Sequence, residues 1–238
     1  MQTTILTVGG IFWILTYVFI ISKGFKDKTY GMPIIALCAN ISWEFIFSFI
    51  VLSHSPSQLF INYLWFGLDA IIVFQFFKYC KNEFPTLSSL KISALFVLII
   101  ASAFSIILSS AIFLGDIRGV YTAFGQNLLM SVLFVIMFFK RGKGLRGQSI
   151  FIAVFKMIGT GLTSIHFYLY EPVSHDSLFV LPFLFASIFI FDILYVILIA
   201  SKYKKKEDNS ISTLKIWIRI VLPFHMRSIS CNLEKYEG

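Results

Sequence analysis

Carboxyl groups inside apolar runs are the residues of this sequence best placed to do chemistry. The segment CANISWEFIF carries Glu44 as its one charged residue, and Asp69 and Asp192 occupy similar positions in two further apolar runs. A charge in such surroundings is costly unless it meets a partner or a cavity. Each of the three acids is therefore a candidate functional residue.

Every one of these acids has a polar or aromatic neighbour at helical spacing. Asn40 precedes Glu44 by four residues, which places both side chains on one face of a helix. Trp65 stands four residues before Asp69. These spacings predict that an amide or an aromatic ring accompanies each carboxyl, and for Asp192 the neighbour is Tyr195, three residues later.

The surroundings of these carboxyl groups predict acid chemistry. A carboxyl group in a low-dielectric cavity, close to other carboxyl groups, favours its protonated form. Such a group is a Brønsted acid in a dry pocket. The alternative is that one acid pairs with Lys156, in the sixth apolar run, and merely holds the helices together. One lysine cannot neutralise three acids.

The composition indicates the solvent in which these groups lie. Of the 238 residues, 58% are hydrophobic and 13% are charged, whereas about a quarter of the residues of a soluble domain are charged. A core of this size could not hide so much apolar surface, so the chain is predicted to be an integral membrane protein. Basic loops explain the excess of 20 Lys and Arg over 12 Asp and Glu better than nucleic-acid binding does.

Seven apolar runs are long enough to cross a bilayer, which predicts an all-α, seven-helix membrane bundle. They lie at about 5–22, 32–52, 59–80, 90–114, 120–140, 149–170 and 178–200.

Residues 1–206 are thus expected to form the seven-transmembrane catalytic domain, and 207–238 a cytosolic tail. Within the tail, 214–224 alternates apolar residues with Lys215 and Arg219 and either lies at the membrane surface or has no function.

The basic residues of the loops predict the orientation. Arg118 is the one basic residue on the side of the N-terminus, and all others near the spans lie on the opposite side. By the positive-inside rule, the N-terminus is expected outside or in the lumen and the C-terminus in the cytosol. The residues on the cytosolic side are Lys23, Lys26, Lys28, Lys78, Lys81, Lys91, Lys140, Arg141, Lys143, Arg146, Lys202, Lys204, Lys205 and Lys206.

Several chemistries lack their motifs in this sequence. There is no DDxxD-type run for magnesium and diphosphate, no GxxxxGK[ST], no HExxH and no GxSxG. The last span has no lysine for a retinal Schiff base. The expectation is a site without metal or cofactor. The cysteines and histidines show no ligand spacing; they include Cys38, Cys80, Cys231, His54, His166 and His175.

Four stretches together resemble a known family. They are Pro33 followed by CANISWEF, then LWFGLDAII, then the block GQNLLMSVLFVIMFFKRGKGLRGQSIFIAVFKMIGT, and finally FDILYVIL. In this order they are similar to the transmembrane terpene cyclases of fungal meroterpenoid and indole-diterpene pathways and their bacterial relatives. The resemblance covers most of residues 31–200.

The resemblance implies an enzyme that protonates a prenyl chain, usually at a terminal epoxide, and folds it into fused rings. Two acids implicated in that family correspond here to Glu44 and Asp192, and Asp69 matches a further recurrent acid. One of the first two is expected to donate the proton while the other tunes it or accepts the final proton. Asn40 is expected to orient Glu44 by a hydrogen bond, and either Trp43 or Trp65 is expected to face the cation.

The substrate implied is an epoxidised farnesyl or geranylgeranyl chain on an aromatic or heterocyclic head. A pathway prenyltransferase and a flavin epoxidase are the expected functional neighbours. The host membrane would be the endoplasmic reticulum in a eukaryote or the plasma membrane in a bacterium. The alternative function is a proton-coupled transporter or lipid-handling membrane protein that uses the same carboxylates, although the sequence lacks the repeated halves of many transporters.

Overall fold

The computed structural model describes residues 2–52, 55–141, 144–170 and 179–221. In these residues the chain forms seven α-helices, so the predicted all-α architecture and helix count are confirmed. The helices are α1 Gln2–Asp27, α2 Ile34–Phe45, α3 Pro56–Glu83, α4 Ser89–Phe113, α5 Val120–Lys140, α6 Ile150–Tyr170 and α7 Val180–Val221.

The second helix is shorter than the apolar run that predicted it. The run 32–52 was expected to be one full span, but α2 has 12 residues and continues only as a π-helical segment, Ile46–Ile50. Pro33 has an extended backbone (ψ 135°), so α2 begins only after it, at Ile34. The other six helices are long and apolar enough to cross a membrane.

Hydroxyl and carboxylate side chains fix the starts of three helices. Ser55 accepts a hydrogen bond from the backbone N–H of Gln58 and precedes a proline at the first position of α3. Ser88 likewise accepts a hydrogen bond from the backbone N–H of Lys91 at the start of α4. Asp116 accepts the backbone N–H of Thr122 at 2.9 Å and so caps α5. These contacts satisfy amide groups that would otherwise lack partners at a helix start.

Helices α1 and α6 cross at two glycines. A Cβ atom added at Gly9 would lie 3.3 Å from the carbonyl oxygen of Gly159, and one added at Gly159 would lie 3.2 Å from the carbonyl oxygen of Gly9. The two backbones therefore touch directly. Small residues allow such close approach where lipid offers no hydrophobic drive for association.

Large apolar side chains cover the outside of the helices. Phe60, Phe74, Phe113 and Phe179 are all exposed, while polar groups such as Asn40 are buried. This distribution suits lipid as the surrounding solvent, because apolar side chains lose nothing by facing hydrocarbon. Together with the six apolar helices, it describes a multi-pass membrane protein.

A network of charged groups ties together the loops after α1, α3 and α5. Arg141 donates to the carbonyl oxygen of Tyr30 at 2.9 Å, and Thr29 donates to Glu83 at 2.6 Å. Arg146 lies 3.3 Å from the same carboxylate. Charge-assisted hydrogen bonds of this kind fix geometry, so the network holds the helix ends in register.

The chain divides into two units, Met1–Ile199 and Ala200–Gly238. The second unit contains the C-terminal part of α7, whose backbone is helical to Val221. The predicted surface segment 214–224 lies outside the residues whose side chains are described. The division into a domain 1–206 and a tail 207–238 remains a prediction.

Candidate active site

A cavity of about 580 Å³ lies among α1, α2, α3, α5 and α6. This volume falls within the range of sites for small molecules, about 300–1,000 Å³. Its walls are mainly apolar and aromatic. The aromatic side chains are Trp13, Tyr17, Trp43, Phe47, Trp65, Phe124 and Phe167.

Among the described residues, the one carboxyl group that lines the cavity is that of Glu44. Tyr17 donates its hydroxyl to Oε1 of Glu44 at 2.7 Å, and Nδ2 of Asn40 donates to the same oxygen at 2.9 Å. The same amide nitrogen also contacts the hydroxyl of Tyr17. Glu44 is buried at 1% exposure, so these donors replace water around its carboxyl group.

Asp69 lies directly behind this acid and does not line the cavity. The Nδ2 atom of Asn40 donates to Oδ2 of Asp69 at 2.8 Å. One amide group thus bridges the carboxyl groups of α2 and α3. Gln126 of α5 donates in turn to Oδ1 of Asn40 at 3.3 Å and fixes the amide orientation.

The backbone around Glu44 explains why its side chain points inward. Asn40 and Glu44 are four residues apart and share the buried face of α2, as the sequence predicted. The π-helical segment begins two residues after Glu44, and Asn62 donates to the carbonyl oxygen of Phe47 within it at 3.1 Å. Single π turns inside helices are frequent at functional sites, because they re-aim the side chains around them.

Asp192 belongs to a different cluster. Its Oδ1 atom lies 2.7 Å from Nζ of Lys156, which also donates to Ser131 at 2.6 Å. Lys156 is 1% exposed, and its ammonium group lies 5.9 Å from the ring centre of Trp13. Asp192 is not among the residues that line the cavity. The pairing with Lys156, considered from sequence as the structural alternative, is thus present for this acid.

The predicted aromatic neighbours have separate positions. Trp43 lines the cavity and donates its Nε1–H to the carbonyl oxygen of Gly119 at 2.9 Å. Trp65 also lines it, and among the described residues its buried Nε1 atom has no hydrogen-bond partner. Tyr195 donates to Gln148 at 3.2 Å and does not line the cavity. That Tyr195 accompanies Asp192 stays a prediction.

The matches to known proteins agree with this architecture. Residues 1–205 match the family of Pyr4-like transmembrane terpene cyclases. The chain belongs to this family. The resemblance drawn from the four sequence stretches is confirmed.

Individual relatives of this cyclase family are fungal proteins. The chain is 32% identical over 157 residues to the asnovolin H synthase nvfL of Aspergillus novofumigatus, covering 63% of each chain. It is 35% identical over 74 residues to the terpene cyclase pyr4 of Aspergillus fumigatus, covering 31% of each. The terpene cyclase andB of Emericella variicolor shares 36% identity over 75 residues, 32% of each. The matches thus span from about a third to just under two thirds of these relatives.

No solved structure matches the chain.

Tyr17 is the site residue that sequence reasoning missed. In the sequence it is one aromatic residue in an apolar helix, which does not distinguish a lipid-facing ring from a buried one. Its signal was a hydroxyl group in mid-span, since a buried hydroxyl needs a hydrogen-bond partner.

The histidines and cysteines show no metal site in the described part of the chain. No group of three or more His, Cys, Asp or Glu side chains is placed there to hold a metal ion. His166 is buried and lines the cavity, and Cys38 and Cys80 are buried free thiols. Three residues discussed from sequence lie outside the described residues: His54, His175 and Cys231.

Proposed function

We propose that this chain is a membrane-bound terpene cyclase that starts cyclisation by protonating a prenyl chain, with Glu44 as the proton donor. The observation that carries the proposal is a buried carboxyl group in the wall of an aromatic cavity. Membership of the cyclase family supports the reaction class. The substrate we propose is an epoxidised farnesyl or geranylgeranyl chain attached to an aromatic or heterocyclic head.

The proposed reaction is an isomerisation. Glu44 gives its proton to the epoxide oxygen, and the C–O bond at the more substituted carbon breaks as a neighbouring alkene supplies electrons to that carbon. Further alkenes close further rings, and loss of a proton from the last cation returns a proton to the site. Atoms and charge balance without an oxidant or reductant.

The cavity walls suit this chemistry in two ways. The faces of Trp43, Trp65 and Phe47 can stabilise a positive charge, since aromatic rings attract cations. The apolar lining also excludes water, which would otherwise quench the cation before the rings close. Only Glu44 of the two acids implicated by resemblance contacts the cavity, and this favours it as the donor. Asp192, held by Lys156, is then a positioning residue of the bundle.

We further propose an orientation with the N-terminus outside or in the lumen and the C-terminus in the cytosol. The loop charges support it. The membrane would be the endoplasmic reticulum in a eukaryote or the plasma membrane in a bacterium. A prenyltransferase and a flavin epoxidase would supply the substrate, because the reaction requires both the prenyl chain and its epoxide.

The test is incubation of membranes containing the full chain with epoxidised farnesyl and geranylgeranyl aromatic compounds. The expected products are cyclic isomers of unchanged mass, identified by mass spectrometry and NMR. The variant Glu44→Gln keeps size and shape but carries no acidic proton, so it is expected to lose at least 100-fold in kcat, the low end for general acid catalysis.

Glu83→Gln provides the matched control, because Glu83 lies in the loop network away from the cavity. It is expected to cyclise the same substrates. Full activity of folded Glu44→Gln would exclude Glu44 as the donor. Proton flux in proteoliposomes without any change in the added compounds would instead support the transporter alternative.

A further inference from the structure

Two carboxyl oxygens remain without a hydrogen-bond donor in the network around Glu44. They are Oε2 of Glu44 and Oδ1 of Asp69, both buried and both unpartnered among the described residues. A buried acceptor without a donor is rare enough in proteins to need an explanation. The two carboxyl groups are neighbours, because Oε1 of Glu44 and Oδ2 of Asp69 both accept from Nδ2 of Asn40, at 2.9 and 2.8 Å.

The remaining oxygens of the same two groups are fully supplied. Oε1 of Glu44 accepts from Tyr17 and from Asn40, and Oδ2 of Asp69 accepts from Asn40. The Asn40 amide therefore binds one oxygen of each carboxyl group, and among the described residues no donor reaches the other oxygen of either group. One proton shared by the two carboxyl groups would turn one of these unpartnered acceptors into a donor.

Electrostatics supports the same proton. Two ionised carboxylates that share one amide donor repel each other strongly, and in low dielectric one of them keeps a proton. The buried lysine Lys156 is bound to Asp192 at 2.7 Å, so its charge is already balanced elsewhere. Known pairs of carboxyl groups at hydrogen-bonding distance share one proton in this way.

We propose that Glu44 and Asp69 form a carboxyl pair that shares one proton, with Asp69 as the positioning residue that keeps Glu44 protonated between turnovers. Tyr17 and Asn40 direct this proton to the oxygen of Glu44 that they leave free. After Glu44 has protonated the substrate, the proton lost from the final cation restores the pair. Because Glu44 is the proposed donor, the catalytic meaning of the pair rests on the proposed function.

The first test is the isosteric variant Asp69→Asn. Its amide can still occupy the same hydrogen bonds, so a purely structural role predicts wild-type kinetics. A shared proton predicts a different result. The new amide group donates to Glu44 and leaves that group as a carboxylate without a proton to give. We expect kcat to fall about 100-fold or more and KM to change less than threefold, because Asp69 does not line the cavity.

The matched control is Asp116→Asn, another buried aspartate that accepts hydrogen bonds, but at the start of α5. Its kcat is expected to stay within about threefold of wild type. A second comparison exchanges the two acids. Glu44→Asp alone shortens one side of the pair, and adding Asp69→Glu restores the combined length. The double variant is expected to recover at least tenfold in kcat over Glu44→Asp; no recovery contradicts the pair.

Infrared spectroscopy tests the shared proton without any substrate. A protonated carboxyl group has a carbonyl stretching band that shifts in D₂O, and the pair should contribute one such band. We expect this band to disappear in both Glu44→Gln and Asp69→Asn and to persist in Asp116→Asn. Survival of the band in Asp69→Asn would overturn the pair. If both variants lost the band but the wild-type chain cyclised none of the substrates, the pair would be upheld and the cyclase function rejected.

Discussion

At the scale of single residues, the buried acids differ in how their charge is balanced. Glu44 and Asp69 meet neutral donors, the hydroxyl of Tyr17 and the amide of Asn40. Asp192 meets the ammonium group of Lys156. Neutral donors leave a carboxyl group able to hold and release a proton, whereas an ion pair keeps it as a carboxylate. The two clusters are thus suited to different tasks.

The ion pair leads to a stability prediction. In Lys156→Met the carboxylate of Asp192 remains buried without its counter-charge, so the free energy of unfolding should fall by about 3 kcal/mol. The double variant with Asp192→Leu removes both charges and should recover most of this loss. Thermal unfolding in detergent micelles measures both effects.

The same double variant separates structure from catalysis. If Asp192 only positions the bundle, the refolded double variant should cyclise substrate within about tenfold of wild type, given the usual effects of a displaced site. A stable but inactive double variant would show that Asp192 takes part in catalysis.

At the scale of secondary-structure elements, the helix contacts decide the shape of the cavity. The crossing of α1 and α6 brings Trp13 and Tyr17 against the cavity from one side. A Cβ atom at Gly159 would lie 3.0 Å from the ring of Trp13 and 3.2 Å from the carbonyl oxygen of Gly9. The crossing therefore depends on the absence of a side chain there.

Substitution of this glycine should separate the two helices. Gly159→Leu is expected to lower the free energy of unfolding by about 2 kcal/mol, as overpacking of a close contact does. Gly161→Leu is the control, because a Cβ atom at Gly161 has no neighbour within 4 Å. Thermal unfolding in detergent should rank Gly159→Leu well below both the control and wild type. Equal stability of the two variants would show that the crossing is not tight.

The loop before α5 gives a second prediction at this scale. Gly119 has a left-handed backbone (φ +67°), and a Cβ atom there would lie 2.5 Å from the ring of Phe47 and 2.7 Å from Nε1 of Trp43. Gly119→Ala should therefore cost about 2 kcal/mol or more, from backbone strain and overpacking together. It should also lower kcat, because Trp43 and Phe47 line the cavity.

Gly115 offers a matched control for this loop. Its backbone is also left-handed (φ +73°), but a Cβ atom there would meet nothing within 4 Å. Gly115→Ala should lose only the strain energy, about 1 kcal/mol, with unchanged kcat. If both alanine variants had the same stability and activity, the contact of Gly119 with the two aromatic rings would be irrelevant.

At the scale of the whole molecule, the charge asymmetry of the loops predicts which end of the cavity faces which compartment. Of the cavity residues, Thr7 lies near the start of α1, Ser55 just before α3 and Arg118 just before α5. All three therefore belong to the side predicted for the N-terminus. The proposed orientation therefore directs this end of the cavity away from the cytosol. Glu44 lies one residue before the end of α2.

Labelling of introduced cysteines tests this orientation, because the two native thiols that remain, Cys38 and Cys80, are buried. In a Cys231→Ser background, Thr4→Cys and Lys91→Cys should react with a membrane-impermeant maleimide from opposite sides of sealed vesicles, because the N-terminus and the basic loop between α3 and α4 are predicted on opposite sides. Lys91→Cys should react from the cytosolic side. Reaction of both from the same side, or the reverse pattern, would contradict the orientation.

The amino-acid sequence by itself determined the membrane class, the number of helices and which acids lie inside apolar runs. Each depends on local properties: the length of an apolar run, a polar residue within it, and a spacing of four that joins Asn40 to Glu44. The ends of the second helix could not be predicted from such local properties. A π-helical turn and the backbone at Pro33 shortened it, although Met32 and Val51 are as apolar as its interior.

Only the tertiary structure decided which acids meet. It joined Glu44 to Asp69 through Asn40, and Asp192 to Lys156, whereas the family resemblance had named Glu44 and Asp192 as the two implicated acids. The physical reason is the solvent. In lipid, the outer and inner faces of a helix are both apolar, so the pattern that reveals the buried face of a soluble helix is weak. The rotation of each helix, and therefore each pairing, follows from packing with its neighbours.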